Sequence, residues 1–146
     1  MRLWHYKLIP VLPNQMLVSQ WRECVAIKRQ WEKETLKHRL VSYVLNYDRM
    51  YFGTYFTIVL EEMKKRNFKV NHLLQKEMID FCYNNRPAIE YIEYIGKNYP
   101  QHNKRYLKQC YYNLEEKYDR GIITEDEFQK ILNADIYELG DIKNEF

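Results

Sequence analysis

Near the start of the chain, Met1, Arg2, Arg22 and Glu23 have the residue types that covalent chemistry on a carbonyl-level carbon requires. A bulky Arg at the second position is expected to block removal of the initiator methionine, which leaves the free α-amine on Met1. An α-amine has a pKa of about 8 against about 10.4 for a lysine, so roughly a tenth of it is neutral at pH 7. That fraction is a usable nucleophile without deep burial. A nucleophilic amine, a carboxylate and a local positive field are the parts needed for Schiff-base chemistry on a sugar aldehyde carbon. Other chemistries find less support. His5, His38, His72 and His102 have no metal-ligand spacing, and no glycine-rich phosphate loop is present. Cys24 falls on the apolar face of its helix, where a thiol is more often core than nucleophile.

Arg22 and Glu23 sit on a helix that Pro13-Asn14 opens, with Leu17, Trp21, Cys24 and Val25 spaced by three and four along its apolar face. The helix is expected to run to Arg29 or beyond. A second, short helix entered near Thr35 is expected to bury Leu36, Leu40, Val41 and Val44. Asp48 is the expected N-cap of the longest central helix, with Tyr51, Tyr55, Ile58, Val59 and Met63 inward and Asn67 at its left-handed exit. Asn71 opens the next helix, with Leu74, Met78, Phe81 and Cys82. Pro87 restarts the chain for a helix ending at Gly96. Pro100 precedes a long helix with Leu107, Cys110, Tyr111, Leu114 and Tyr118, stopped by Gly121. Thr124 and Glu127 have capping-box spacing for a last helix through Leu132. Strand signals are nearly absent. The expectation is an all-α fold, a compact single-domain irregular helical bundle over residues 1–146, with residues 121–146 as an acidic C-terminal hairpin and tail.

Composition narrows the class. The 146 residues suffice for one buried core, and 46% of them are hydrophobic, with four Gly and four Pro, which argues against disordered or fibrous chains. No apolar run has the length of a membrane span. The Pro-interrupted LIPVLP stretch is too short for a signal-peptide core, and three widely spaced cysteines fit reduced thiols in a cytoplasmic protein. Residues 1–73 hold thirteen Lys/Arg against six Asp/Glu, and residues 74–146 ten against fourteen. A basic front half beside an acidic back half fits a polyanion-binding face.

The pattern Gln15, Leu17, Trp21, Arg22, Glu23 resembles the phage-type pyrimidine-dimer DNA glycosylase/AP-lyase family, the endonuclease V type of T-even phage. Pro100 with His102, the LEEK stretch Leu114–Lys117, and the helix exit over Glu61–Val70 are similar to further stretches of such proteins. The resemblance implies an N-glycosylase/AP lyase with the Met1 amine as nucleophile and Glu23 as acid/base. It also implies Arg2, Arg22 and Lys117 as substrate-binding residues, double-stranded DNA with a damaged or abasic site as partner, a monomer, and no cofactor. His5, near the amine in sequence, and Lys28 and Arg29, one turn beyond Ala26, are expected to add to substrate binding, and no metal is expected. Trp4, Tyr6, Trp31 and Tyr47 lie among basic residues and have the chemistry to stack on bases. The chain departs from the phage type at Met16 (His in some members), at Ala26 and Asn113 (both Arg) and in its acidic C-terminus, which bears on the lesion recognised. Two other readings stay open: a non-catalytic DNA-binding protein with the same basic face, and a helical protein-interaction module working through the acidic C-terminal hairpin.

Overall fold

Helix follows helix along this chain because apolar residues recur at three- and four-residue intervals, in most cases behind a side-chain N-cap. The computed structural model describes residues 1–134 and residue 136. The tail beyond Ala134, on which the expected acidic terminus falls, otherwise lies outside the described residues. Among them are six α-helices: α1 (Asn14–Glu32), α2 (Arg49–Lys65), α3 (His72–Tyr83), α4 (Ala88–Tyr94), α5 (Lys104–Asp119) and α6 (Glu125–Leu132). Two 3-10 helices, Tyr6–Val11 and Ser42–Asn46, lie before α1 and before α2. None of the described helices is long and apolar enough to cross a membrane.

The helix α2 lies at the centre, packed on α1, α3 and both 3-10 helices. Its inward face carries Phe52, Tyr55, Phe56, Val59 and Met63. Gly53 lets α3 approach closely: a Cβ there would stand 2.5 Å from the Tyr83 ring. Asp48 caps α2 by accepting from the Met50 N–H at 2.9 Å, and its second oxygen pairs with Arg86, which also binds Glu90 and so ties α4 to this end of α2. At the other end Arg66 reaches back to the Leu12 and Pro10 carbonyls at 2.7 and 3.0 Å. This guanidinium clamps the first 3-10 helix onto the α2 terminus. Cys24, Cys82 and Cys110 are free, buried thiols on α1, α3 and α5.

Several cap expectations hold. Asn71 caps α3, the Thr124–Glu127 box caps α6, and Asn67 and Gly121 have positive φ at helix exits. Others need correction. The segment from Thr35 makes a short 3-10 helix beginning only at Ser42, and Leu40 is 53% exposed while Leu36, Val41 and Val44 are buried. Glu34 leaves α1 in the left-handed region, and the path that buries Leu36, Val41 and Val44 together turns Leu40 outward, off any single helical face. The long helix that Pro100 precedes, α5, begins at Lys104 and is capped by Asn103.

Candidate active site

Residues 2–5 form no strand or helix, and the first N–H groups of the 3-10 helix at Tyr6 and Lys7 have no helical partner, so these backbone groups need partners from elsewhere. Side chains supply them. The Arg2 N–H donates to Glu23 Oε2 at 3.1 Å, and the Arg2 carbonyl accepts from Gln20 Nε2 at 2.9 Å. The Leu3 carbonyl accepts from the Tyr106 hydroxyl at 2.5 Å. The Trp4 N–H donates to Gln20 Oε1 at 2.8 Å and its carbonyl accepts from the Tyr55 hydroxyl at 2.6 Å. The Tyr6 N–H donates to His102 Nδ1 at 3.3 Å and the Lys7 N–H to His5 Nδ1 at 3.1 Å. The N-terminal segment is thus suspended from α1, α2, α5 and the loop before α5.

The two histidines belong to this suspension. Because His5 Nδ1 accepts a hydrogen bond, its Nε2–H donates to the His102 carbonyl at 2.9 Å. His102 likewise accepts at Nδ1, and its Nε2 meets the Tyr43 hydroxyl at 2.8 Å. Both roles require neutral imidazole at Nδ1. Burial, aided by the nearby His5, lowers the His102 pKa to about 3, which keeps that ring neutral.

The suspended terminus forms one wall of an open cleft of about 630 Å³. Met1, Arg2 and Trp4 line it together with Gln15, Met16, Ser19, Gln20 and Glu23 of α1. The opposite wall is the last part of α5 and its exit: Asn113, Glu116, Lys117, Arg120 and Ile122. The Arg2 guanidinium lies over the Trp4 ring at 5.0 Å. Arg2, Lys117 and Arg120 bring positive charge to a cleft whose carboxylates are Glu23 and Glu116, and Glu116 pairs with Arg120 at 3.8 Å.

Consecutive backbone nitrogens are separated by less than 3.8 Å, so the Met1 amine stands within about 7 Å of Glu23 Oε2. A nitrogen bonded to a sugar C1′ and an oxygen taking a proton from C2′ stand about 5 Å apart. The bound places amine and carboxylate close enough to act on adjacent carbon atoms of one bound molecule. Both hydrogen bonds to Glu23, from Arg2 N–H and from Gln20 Nε2 at 3.3 Å, go to Oε2. Among the described residues no hydrogen bond engages Oε1.

Of the residues singled out from sequence, Met1, Arg2, Glu23 and Lys117 meet in this cleft. Arg22 is exposed beside Gln15, Ser19 and Phe68 on the next face of α1, and Arg29 lies one groove further, beside Trp21 and Leu74. His5 is buried in the suspension, outside the cleft lining. Lys28 is 8% exposed and its ammonium meets Glu32 at 2.7 Å and Glu77 at 3.7 Å, joining α1 to α3. Sequence reasoning missed Gln20, Tyr55 and Arg120. The signal for Gln20 was a polar residue three positions from Leu17 and four from Cys24, on the buried stripe, where a polar group needs a bonded partner.

Residues 1–76 match the family model described as pyrimidine dimer DNA glycosylase. The match covers the wall from Met1 to Glu23, while Asn113, Lys117 and Arg120 lie beyond it. No curated protein and no solved structure matches the chain.

Proposed function

Because the chain belongs to the pyrimidine dimer DNA glycosylase family, we propose that it uses the Met1 α-amine as nucleophile and Glu23 as proton acceptor, and that it is also an AP lyase. The protein is a DNA-repair glycosylase acting on pyrimidine dimers. In the proposed reaction the neutral amine attacks C1′ and the glycosylic bond breaks, its electron pair leaving with the base. Loss of the amine proton and opening of the sugar ring give an imine between Met1 nitrogen and C1′. Glu23 Oε1 then takes the C2′ proton. The C–H electron pair forms the new double bond, and the 3′ phosphate departs with the C3′–O pair. Water hydrolyses the imine and restores the amine.

The observation that carries this reading is the pairing of the N-terminal backbone with the Glu23 carboxylate in an open cleft, across 21 positions of sequence. Lys117, Arg120 and Arg2 suit the flanking phosphates. The partner is double-stranded DNA carrying the lesion or an abasic site, bound by one copy of the chain.

Acetylating the N-terminus removes the amine's basicity without altering a side chain. Borohydride trapping on abasic duplex DNA is expected to disappear in the acetylated protein, and peptide mapping of the wild-type adduct is expected to place the sugar on Met1. In Glu23→Gln, strand cleavage is expected to collapse while DNA binding persists. Undiminished trapping by the acetylated protein would transfer the nucleophile to a lysine, and wild-type cleavage by Glu23→Gln would end the acid/base assignment.

A further inference from the structure

We propose that Gln20, backed by Tyr55, is the positioning residue that sets the distance between the N-terminal amine and the Glu23 carboxylate and chooses which carboxylate oxygen faces the sugar. The inference rests on the Met1–Glu23 reading and adds a residue to it. Gln20 is 1% exposed, yet lines the floor of the cleft. Each end of its amide is engaged by a different part of the reacting assembly. Nε2 holds the Arg2 carbonyl at 2.9 Å and Glu23 Oε2 at 3.3 Å, so its two hydrogens grip the nucleophile's strand and the acceptor together. Oε1 takes the Trp4 N–H at 2.8 Å, and the Tyr55 hydroxyl lies 3.1 Å from it while donating to the Trp4 carbonyl.

One planar amide therefore serves as a spacer between the peptide unit that bears the amine and the group that takes the C2′ proton. Its orientation is fixed from behind by the Trp4 N–H, and the Tyr55 hydroxyl of α2 anchors Trp4 in turn through its carbonyl. With Oε2 already accepting two N–H groups, a fixed Glu23 presents Oε1 to the substrate. Neither neighbour does this alone: the Arg2 N–H meets the carboxylate but holds no other part of the strand, and the suspension at Leu3 and Tyr6 acts further along it.

The test compares Gln20→Met, which keeps length and loses every hydrogen bond, with Gln20→Glu, which keeps shape and cannot donate when ionised. Affinity is measured for a duplex bearing a tetrahydrofuran abasic analogue, which has no aldehyde, and single-turnover borohydride trapping is measured on a true abasic duplex. For Gln20→Met, affinity is expected to stay at the wild-type value while trapping slows about a hundredfold, the scale of a misplacement of roughly an ångström. For Gln20→Glu, the trapping rate relative to wild type is expected to rise as pH falls, because the protonated carboxyl regains a donor. A folded Gln20→Met protein that traps at the wild-type rate overturns the proposal. Should that variant fail to fold, a pH-independent rate ratio for Gln20→Glu overturns it equally. Glu23→Gln run alongside separates the two levels: its failure to cleave, with Gln20 variants at full rate, removes only the positioning role, whereas its full activity removes the reading underneath.

Discussion

At the scale of single residues, the structure separates cations that look alike in sequence. Lys28 and Lys117 are both lysines on amphipathic helices, but Lys28 is ion-paired within the α1–α3 seam, whereas no ion pair engages Lys117 among the described residues and its side chain lines the cleft. Lys117→Ala is expected to lower the slope of log affinity against log salt by up to about 0.9, the share of one phosphate contact on duplex DNA. Lys28→Ala is expected to leave that slope unchanged and to lower the urea midpoint, because it removes the buried lysine stem and the α1–α3 link through Glu77. Titrating binding from low to moderate salt distinguishes them, and equal slopes for both variants would refute the division. The candidate site was half legible at this scale. Met1, Arg2 and Glu23 were readable because their chemistry is unusual in combination. Gln20 and Tyr55 were not, since a buried amide and a buried phenol gain meaning only from the backbone groups that the fold brings to them.

Elements were read with more success than residues, and for a local reason. Asp48, Asn71 and Thr124 cap helices through their own nearest backbone N–H groups, so no tertiary knowledge is needed to place them. The segment Thr35–Asn46 misled because Leu40 keeps helical spacing with Leu36 and Val44 while the tertiary fold leaves it outside. The contact of α2 with α3 was equally hidden, since Gly53 shows its reason only against Tyr83. Gly53→Ala adds about 1 kcal/mol of helix propensity, yet places a methyl 2.5 Å from the Tyr83 ring packed over it. The overpacking is expected to dominate and to destabilise by about 1–3 kcal/mol. Urea unfolding of Gly53→Ala, and of the same change combined with Tyr83→Ala, checks this. Steric conflict as the cause requires that the alanine be less costly in the second background.

For the whole molecule, pH acts on stability through the neutral His102 inside the suspension. Its folded pKa is lowered by burial to about 3 from 6.5, so between those values the unfolded chain binds a proton that the folded chain refuses. Stability is therefore intact above pH 6.5 and is lost as pH falls toward 3, at up to about 1.4 kcal/mol per pH unit from this one group. His102→Gln keeps an acceptor for the Tyr6 N–H and does not titrate, so its stability should fall less steeply between pH 6 and 4, by close to one proton. Unfolding free energies measured across that interval decide the matter, and parallel curves for the two proteins would exclude His102 as the source.

The three buried thiols make the chain its own clock. Cys24, Cys82 and Cys110 are each shielded completely, so an aromatic disulfide reagent reaches a sulfur only when its helix swings open, and the labelling rate times that opening. The backbone of α5 packs chiefly on the short α6 and less on α2, which makes Cys110 the first expected to react. Its rate should drop when an abasic-analogue duplex fills the cleft, since a ligand touching both walls ties α5 to α1. A fluorophore-free record of substrate residence is thus written in the protein's own sulfur chemistry.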